Sequence, residues 1–113
     1  MTYEVRLQRL AAADLRRAYR RAARNAPLAA LRWLDRFHRA LATLEHNPQR
    51  CPLARESAKT QLELREFLFG RRPWVFRAVY IVDGQIVRVL RIRRGQRRFL
   101  TRRQIDEALG PED

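Results

Sequence analysis

The dipeptide Asp83-Gly84 sits between two runs of alternating apolar residues, 74–82 and 85–93. Between strand-like runs, this step is the strongest short-range signal for a two-residue β-hairpin, because glycine takes the positive φ of the turn without steric cost. With Asp83-Gly84 as the turn, Ile81 faces Ile86, Val79 faces Arg88 and Arg77 faces Leu90. One hairpin face then carries Val75, Arg77, Val79, Ile81, Ile86, Arg88, Leu90 and Ile92. The other carries Trp74, Phe76, Ala78, Tyr80, Val87, Val89, Arg91 and Arg93. Both faces are mainly apolar, so the sheet that holds this hairpin needs cover on both sides.

The rest of the chain supplies that cover. Tyr3, Val5 and Leu7 alternate with Glu4, Arg6 and Gln8, the pattern of a short half-buried strand. From Ala11 the period becomes helical: Leu15, Ala18, Tyr19 and Ala22 share one face, while Arg16, Arg17, Arg20, Arg21 and Arg24 crowd the other. Asn25 and Pro27 end this helix and start a second, whose stripe is Ala30, Trp33, Leu34, Phe37, Ala40, Leu41 and Leu44. The short break predicts an antiparallel helical hairpin. Residues 47–61 hold Pro48 and Pro52 without periodicity and read as a crossover loop, mobile over 57–60. A strand over 62–69, ended by Gly70, precedes the β-hairpin. A last helix is expected over 101–109 with Thr101 as its cap. The order β-α-α-β-β-β predicts a single α+β domain over residues 1–113, with the helical hairpin packed on a mainly antiparallel four-stranded sheet.

Charge constrains the partner. The chain carries 25 basic against 12 acidic residues, a formal net charge of +13, and 24 of the 25 are arginine. An excess of this size implies an anionic partner, either nucleic acid or an acidic protein. One cysteine, Cys51, precludes an internal disulfide and points to a reducing compartment. His38 and His46 lie off the helical stripe without cysteine or acidic clusters around them, so neither a metal nor another cofactor is expected. No apolar run approaches a membrane span and MTYEVRLQRL has no signal-peptide core, so a soluble cytoplasmic protein with no membrane partner is expected.

Several segments then become familiar in order: AALRWLDRF and ALATLEHNPQRCPLA on the helical hairpin, LRE-x-L-x-G, R-x-V-Y-x-V-DG, and VLRIRRGQRR. Over nearly the whole chain this set resembles the RelE/ParE family of type II toxin–antitoxin toxins. The resemblance implies a bacterial toxin that arrests growth and is held inactive by a small cognate antitoxin with an acidic C-terminal segment. Nuclease members of that family enter the ribosome and cut mRNA, whereas ParE-like members inhibit DNA gyrase and cut nothing.

By position in the family pattern, Arg65 matches a second-strand arginine and Arg77 a third-strand arginine that meets the scissile phosphate in nucleases. Arg94 falls where many relatives have histidine. Arginine cannot titrate near neutrality, so Arg94 can bind phosphate but is a poor general acid or base. Glu56, Glu63 and Tyr80 are the remaining candidates for proton transfer. Arg65, flanked by Glu63 and Glu66, fits a surface ion pair as well as a catalytic role. Arg77 interrupts an apolar strand and must either line an open cleft or have an acidic partner. The cleft is the reading adopted, with Arg88 diagonally beside it as the second arm of a phosphate clamp. Arg71, Arg72, Arg88, Arg91, Arg93, Arg97 and Arg98 complete an RNA-binding strip, whose affinity should fall steeply with salt. The leading expectation is therefore a ribosome-dependent mRNA endoribonuclease without cofactor. A gyrase inhibitor, or a degenerate member that only binds RNA or antitoxin, is the alternative.

Overall fold

The computed structural model describes residues 2–95 and 97–110. Strand β1 (Glu4–Leu7) leads into helices α1 (Arg9–Ala23) and α2 (Pro27–Ala42), followed by strands β2 (Arg65–Phe69), β3 (Phe76–Asp83) and β4 (Ile86–Arg94) and helix α3 (Arg102–Ala108). The sheet order is β1-β4-β3-β2, with β1 parallel to β4 and the other pairs antiparallel. The expected α+β layout is thus present, and the first strand finds its place at the edge beside the last.

Both faces of the sheet are covered. The helical hairpin packs Ala11, Leu15, Phe37 and Leu41 against Ala78, Tyr80, Val87, Val89 and Ile92 on one face. Trp33 meets Phe37 edge-on and Phe37 stacks on Phe69, with ring centroids 5.4 and 4.5 Å apart, so the aromatic stripe of α2 sits over the open end of β2 and β3. On the other face α3 places Ile105 and Ala108 with Leu100 over Leu64, Val79 and Leu90. Helix α3 starts in a reciprocal capping box: Thr101 Oγ1 accepts from Gln104 N, and the Gln104 side chain accepts from Thr101 N.

Two expectations are corrected. The hairpin pairs Asp83 with Ile86 and Ile81 with Arg88, so Gly84 and Gln85 form the turn, and Gly84 takes the positive φ, +60°. Farther along, Tyr80 pairs with Val89 but Val79 with Arg91, so Leu90 is an extra residue on β4. This bulge shifts everything beyond it: Arg77 lies opposite Arg93, and Ile92 turns to the helical face. The second correction concerns 57–60. Residues Arg55–Lys59 form a 3₁₀ turn that is pinned, because Ser57 Oγ donates to Leu62 O and accepts from Leu64 N, while Lys59 Nζ donates to Leu100 O.

Gly70 ends β2 at φ +100°, where an added Cβ would collide with the Trp74 carbonyl oxygen. Gly70→Ala should lower the urea midpoint by the equivalent of about 1–3 kcal/mol with unchanged slope. A midpoint within error of the wild type would show that the 70–75 loop relaxes freely.

Candidate functional site

Arg77 projects from β3 on the α3 side and is buried, at 4% exposure. Its Nη1 and Nη2 reach Glu56 Oε2 and Oε1 at 3.1 and 2.7 Å, and its Nε reaches Glu66 Oε1 at 2.9 Å. Glu56 is fully buried on the 3₁₀ turn, and its Oε2 also accepts from Leu100 N at 2.9 Å. The Phe99 ring lies within cation–π distance of two guanidiniums, 5.0 Å from Arg77 and 4.9 Å from Arg55. Burial opposes charge on Glu56, but the bonds from Arg77 and Leu100 outweigh it and hold the carboxyl below its ordinary value of 4.5. Burial likewise opposes charge on Arg77, and Glu56 with Glu66 more than restores it. The open-cleft expectation for Arg77 is therefore corrected: its donors are spent on two carboxylates. The clamp with Arg88 does not form either. Arg88 lies opposite Ile81 near the other end of the hairpin, with Nε 3.1 Å from Asp83 Oδ2.

Arg65 has become a brace. Its Nη1 donates to Cys51 O at 2.7 Å and to Gln49 O at 3.2 Å, and its Nη2 sits 3.3 Å from Glu63 Oε1. Arg50 donates to Thr43 O and His46 O across the same segment, and Tyr80 Oη donates to Pro48 O at 2.6 Å from full burial. Burial, with Cys51 alongside, pushes the Tyr80 phenol far above its ordinary range. Tyr80 and Arg65 thus shape the 47–51 loop, and Tyr80 cannot exchange protons with solvent-borne substrate.

The other expected residues divide by location. Arg71 and Arg72 are exposed on the loop between β2 and β3, and Arg98 is exposed beyond Gly95. Arg91, Arg93, Arg94 and Arg97 gather at a groove of about 600 Å³ between α1 and the end of β4, whose apolar lining includes Ala18, Ala22, Trp33, Trp74 and Phe76. Strand β1 stops at Leu7, opposite Val89, so from Arg91 onward the outer edge of β4 has no strand beside it among the described residues. That is why four consecutive β4 residues line this groove. Arg94 stacks over the exposed Trp74, 4.4 Å from the ring centroid. Arg93 Nε is buried and makes no hydrogen bond among the described residues. Burial and then repulsion from Arg91 and Arg97 lower the Arg93 guanidinium below its ordinary value. The groove thus holds concentrated positive charge over an aromatic floor.

One residue there escaped the sequence reading. Asp14, from α1, accepts from Arg91 Nε and Nη2 at 2.7 and 3.0 Å and from Ile92 N at 2.9 Å, with Arg17 at 3.5 Å. It staples α1 to the strand just past the bulge and is the one carboxylate in the groove lining. The signal was present: Asp14 is the sole acid of α1 and sits next to Leu15 on the edge of the core face.

The fold agrees with comparisons to known proteins. The family profile described as "ParE toxin of type II toxin-antitoxin system, parDE" matches residues 5–99. A solved structure described as "Chromosomal ParDE TA system from P. aeruginosa" contains a similar chain. The two superpose with a TM-score of 0.62 at 23% identity, covering 82% of this chain and 96% of that one. At this identity the likeness is one of fold. No curated protein matches the chain.

The buried cluster makes a test of its own. Glu56→Ala should destabilise by about 3–5 kcal/mol, the range for stranding one member of a buried ion pair. Because the folded Glu56 carboxyl lies below its unfolded value, its contribution is full above that unfolded value and is lost as pH falls through the folded one. Urea melts of wild type and Glu56→Gln should therefore converge in acid and diverge above pH 5. Parallel pH profiles would refute the coupling.

Proposed function

Because the chain belongs to the ParE toxin family of type II toxin–antitoxin systems, with a cognate antitoxin as its partner, we propose that it poisons its target by binding, as a gyrase inhibitor, and cuts no RNA. This reverses the order of the two expectations drawn from the sequence. The observation that carries the reading is the state of Arg77. Metal-free cleavage of RNA needs a free cation on the phosphate and a titratable group for the 2′-hydroxyl and the leaving oxygen. Arg77 is held by Glu56 and Glu66, Tyr80 is sealed in the core, and Arg94 does not titrate. One observation favours the endoribonuclease: Arg93, Arg94 and Arg97 line one groove and supply cations for a phosphate without Arg77.

The same groove is the proposed seat of the antitoxin. Its aromatic floor suits apolar anchors and its arginines suit an acidic segment. Among the described residues no strand lies beside the outer edge of β4 from Arg91 onward, which leaves room there for a partner segment, although Asp14 already takes the Ile92 amide and Arg97 N the Arg94 carbonyl. This accounts for a positive excess that the toxin alone does not neutralise.

Induced expression of the wild type should arrest growth with unchanged mRNA 5′ ends, and purified toxin should block gyrase supercoiling in vitro. New mRNA ends without loss of supercoiling would establish the nuclease instead. Trp74→Ala should weaken antitoxin binding by roughly tenfold or more, since exposed aromatics at a groove mouth are typical anchors. Isothermal titration with the antitoxin's acidic segment would read this directly, and an unchanged Kd would remove the groove from that interface.

A further inference from the structure

The groove accounts for one shoulder of α1 and leaves its outer side unexplained. Arg16, Arg20 and Arg24 follow at i, i+4 and i+8 on the side turned away from Ala11 and Leu15, which are buried in the core. All three are exposed, and among the described residues none makes an ion pair or hydrogen bond. The sole acid of the helix, Asp14, is consumed by Arg91. Like charges at this spacing repel and work against the helix that carries them. The row therefore does nothing for folding.

We infer that this row is a docking rail for the backbone of duplex DNA. Successive arginines rise about 6 Å along the helix, so the row spans about 12 Å. A duplex presents one phosphate charge per ~1.7 Å of its axis, roughly seven over that length. Within the row the neighbours on α1 are alanines, Ala13 and Ala23, and the exposed apolar residues next along the chain, Leu28 and Leu31, lie on α2 outside it. There is no exposed aromatic in the row to stack an unpaired base, which disfavours single strands. Nor is there a hydroxyl or amide to meet the 2′-hydroxyls by which duplex RNA is recognised. What remains is phosphate contact that positions a protein on DNA without reading its sequence. The inference is independent of which target the toxin poisons.

The test is fluorescence anisotropy of the full-length toxin with a labelled 24-base-pair duplex of random sequence across a salt series. The triple variant Arg16→Gln, Arg20→Gln, Arg24→Gln should lose about 2.7 from the slope of log affinity against log salt, at about 0.9 per phosphate contact. It should keep its circular-dichroism spectrum and its antitoxin affinity, because the groove is untouched. A matching variant at Arg93, Arg94 and Arg97 should keep most of the DNA slope. The proposal is overturned if the α1 variant keeps the wild-type slope, if the groove variant loses it instead, or if duplex RNA or polyglutamate binds as tightly as DNA.

Discussion

A guanidinium held between two carboxylates governs how the second face of this sheet is closed. Arg77 reaches Glu56 on the 3₁₀ turn and Glu66 on β2, and the second oxygen interaction of Glu56 takes the amide of Leu100. One cluster therefore ties together β3, its neighbouring strand, the crossover segment and the chain entering α3. Burying such charges is costly, and a well-packed apolar substitute can be as stable. What the cluster supplies is uniqueness. A misplaced turn or a shifted C-terminal segment would leave a charge stranded in the core, whereas apolar residues such as Leu100 and Ile105 could slide with little penalty.

The other face of the sheet, at the same end, is organised by a carboxylate with a different task. Asp14 fixes α1 to the bulged strand and satisfies the Ile92 amide, and in doing so sets the width of the groove. The two devices divide the arginines into those the fold consumes and those it leaves for partners. Arg65, Arg77 and Arg91 belong to the first group. Arg97 at the groove mouth, and the outer row of α1, belong to the second. A count of charge cannot make this division, because an arginine's role depends on whether a carboxylate or carbonyl lies within reach of its fork.

The elements were legible in the sequence because each has a strong local signature. The α2 stripe, the Thr101 cap and the alternation of β3 and β4 all need only near neighbours to be read. The hairpin register was not, since Asp83-Gly84 and Gly84-Gln85 both place a glycine in the turn, and only packing selects between them. The Leu90 bulge has no signature of its own, yet it moved Ile92 across the sheet. The site was least legible. The pairing of Arg77 with Glu56 spans 21 residues and runs through a segment with no periodicity, so an open cleft and a buried pair were equally written in the strand. Tyr80 looked like a free hydroxyl for the same reason: its partner, the carbonyl of Pro48, is a backbone atom, about which side-chain patterns say nothing.

The parallel pairing of β1 with β4 has a consequence for timing. Glu4 lies beside Ile86 and Leu7 beside Val89, so the first strand to leave the ribosome has no partner until the last one follows. The nascent chain must carry an unmatched edge and an uncovered helical hairpin until β4 is made, and long-range pairing of this kind is slow to form. The groove beside β4 likewise cannot exist before its own strand and α1 meet. A toxin built in this order gains its groove only once β4 has been made. A partner that seats in the groove therefore has nothing to bind before α1 and β4 have met.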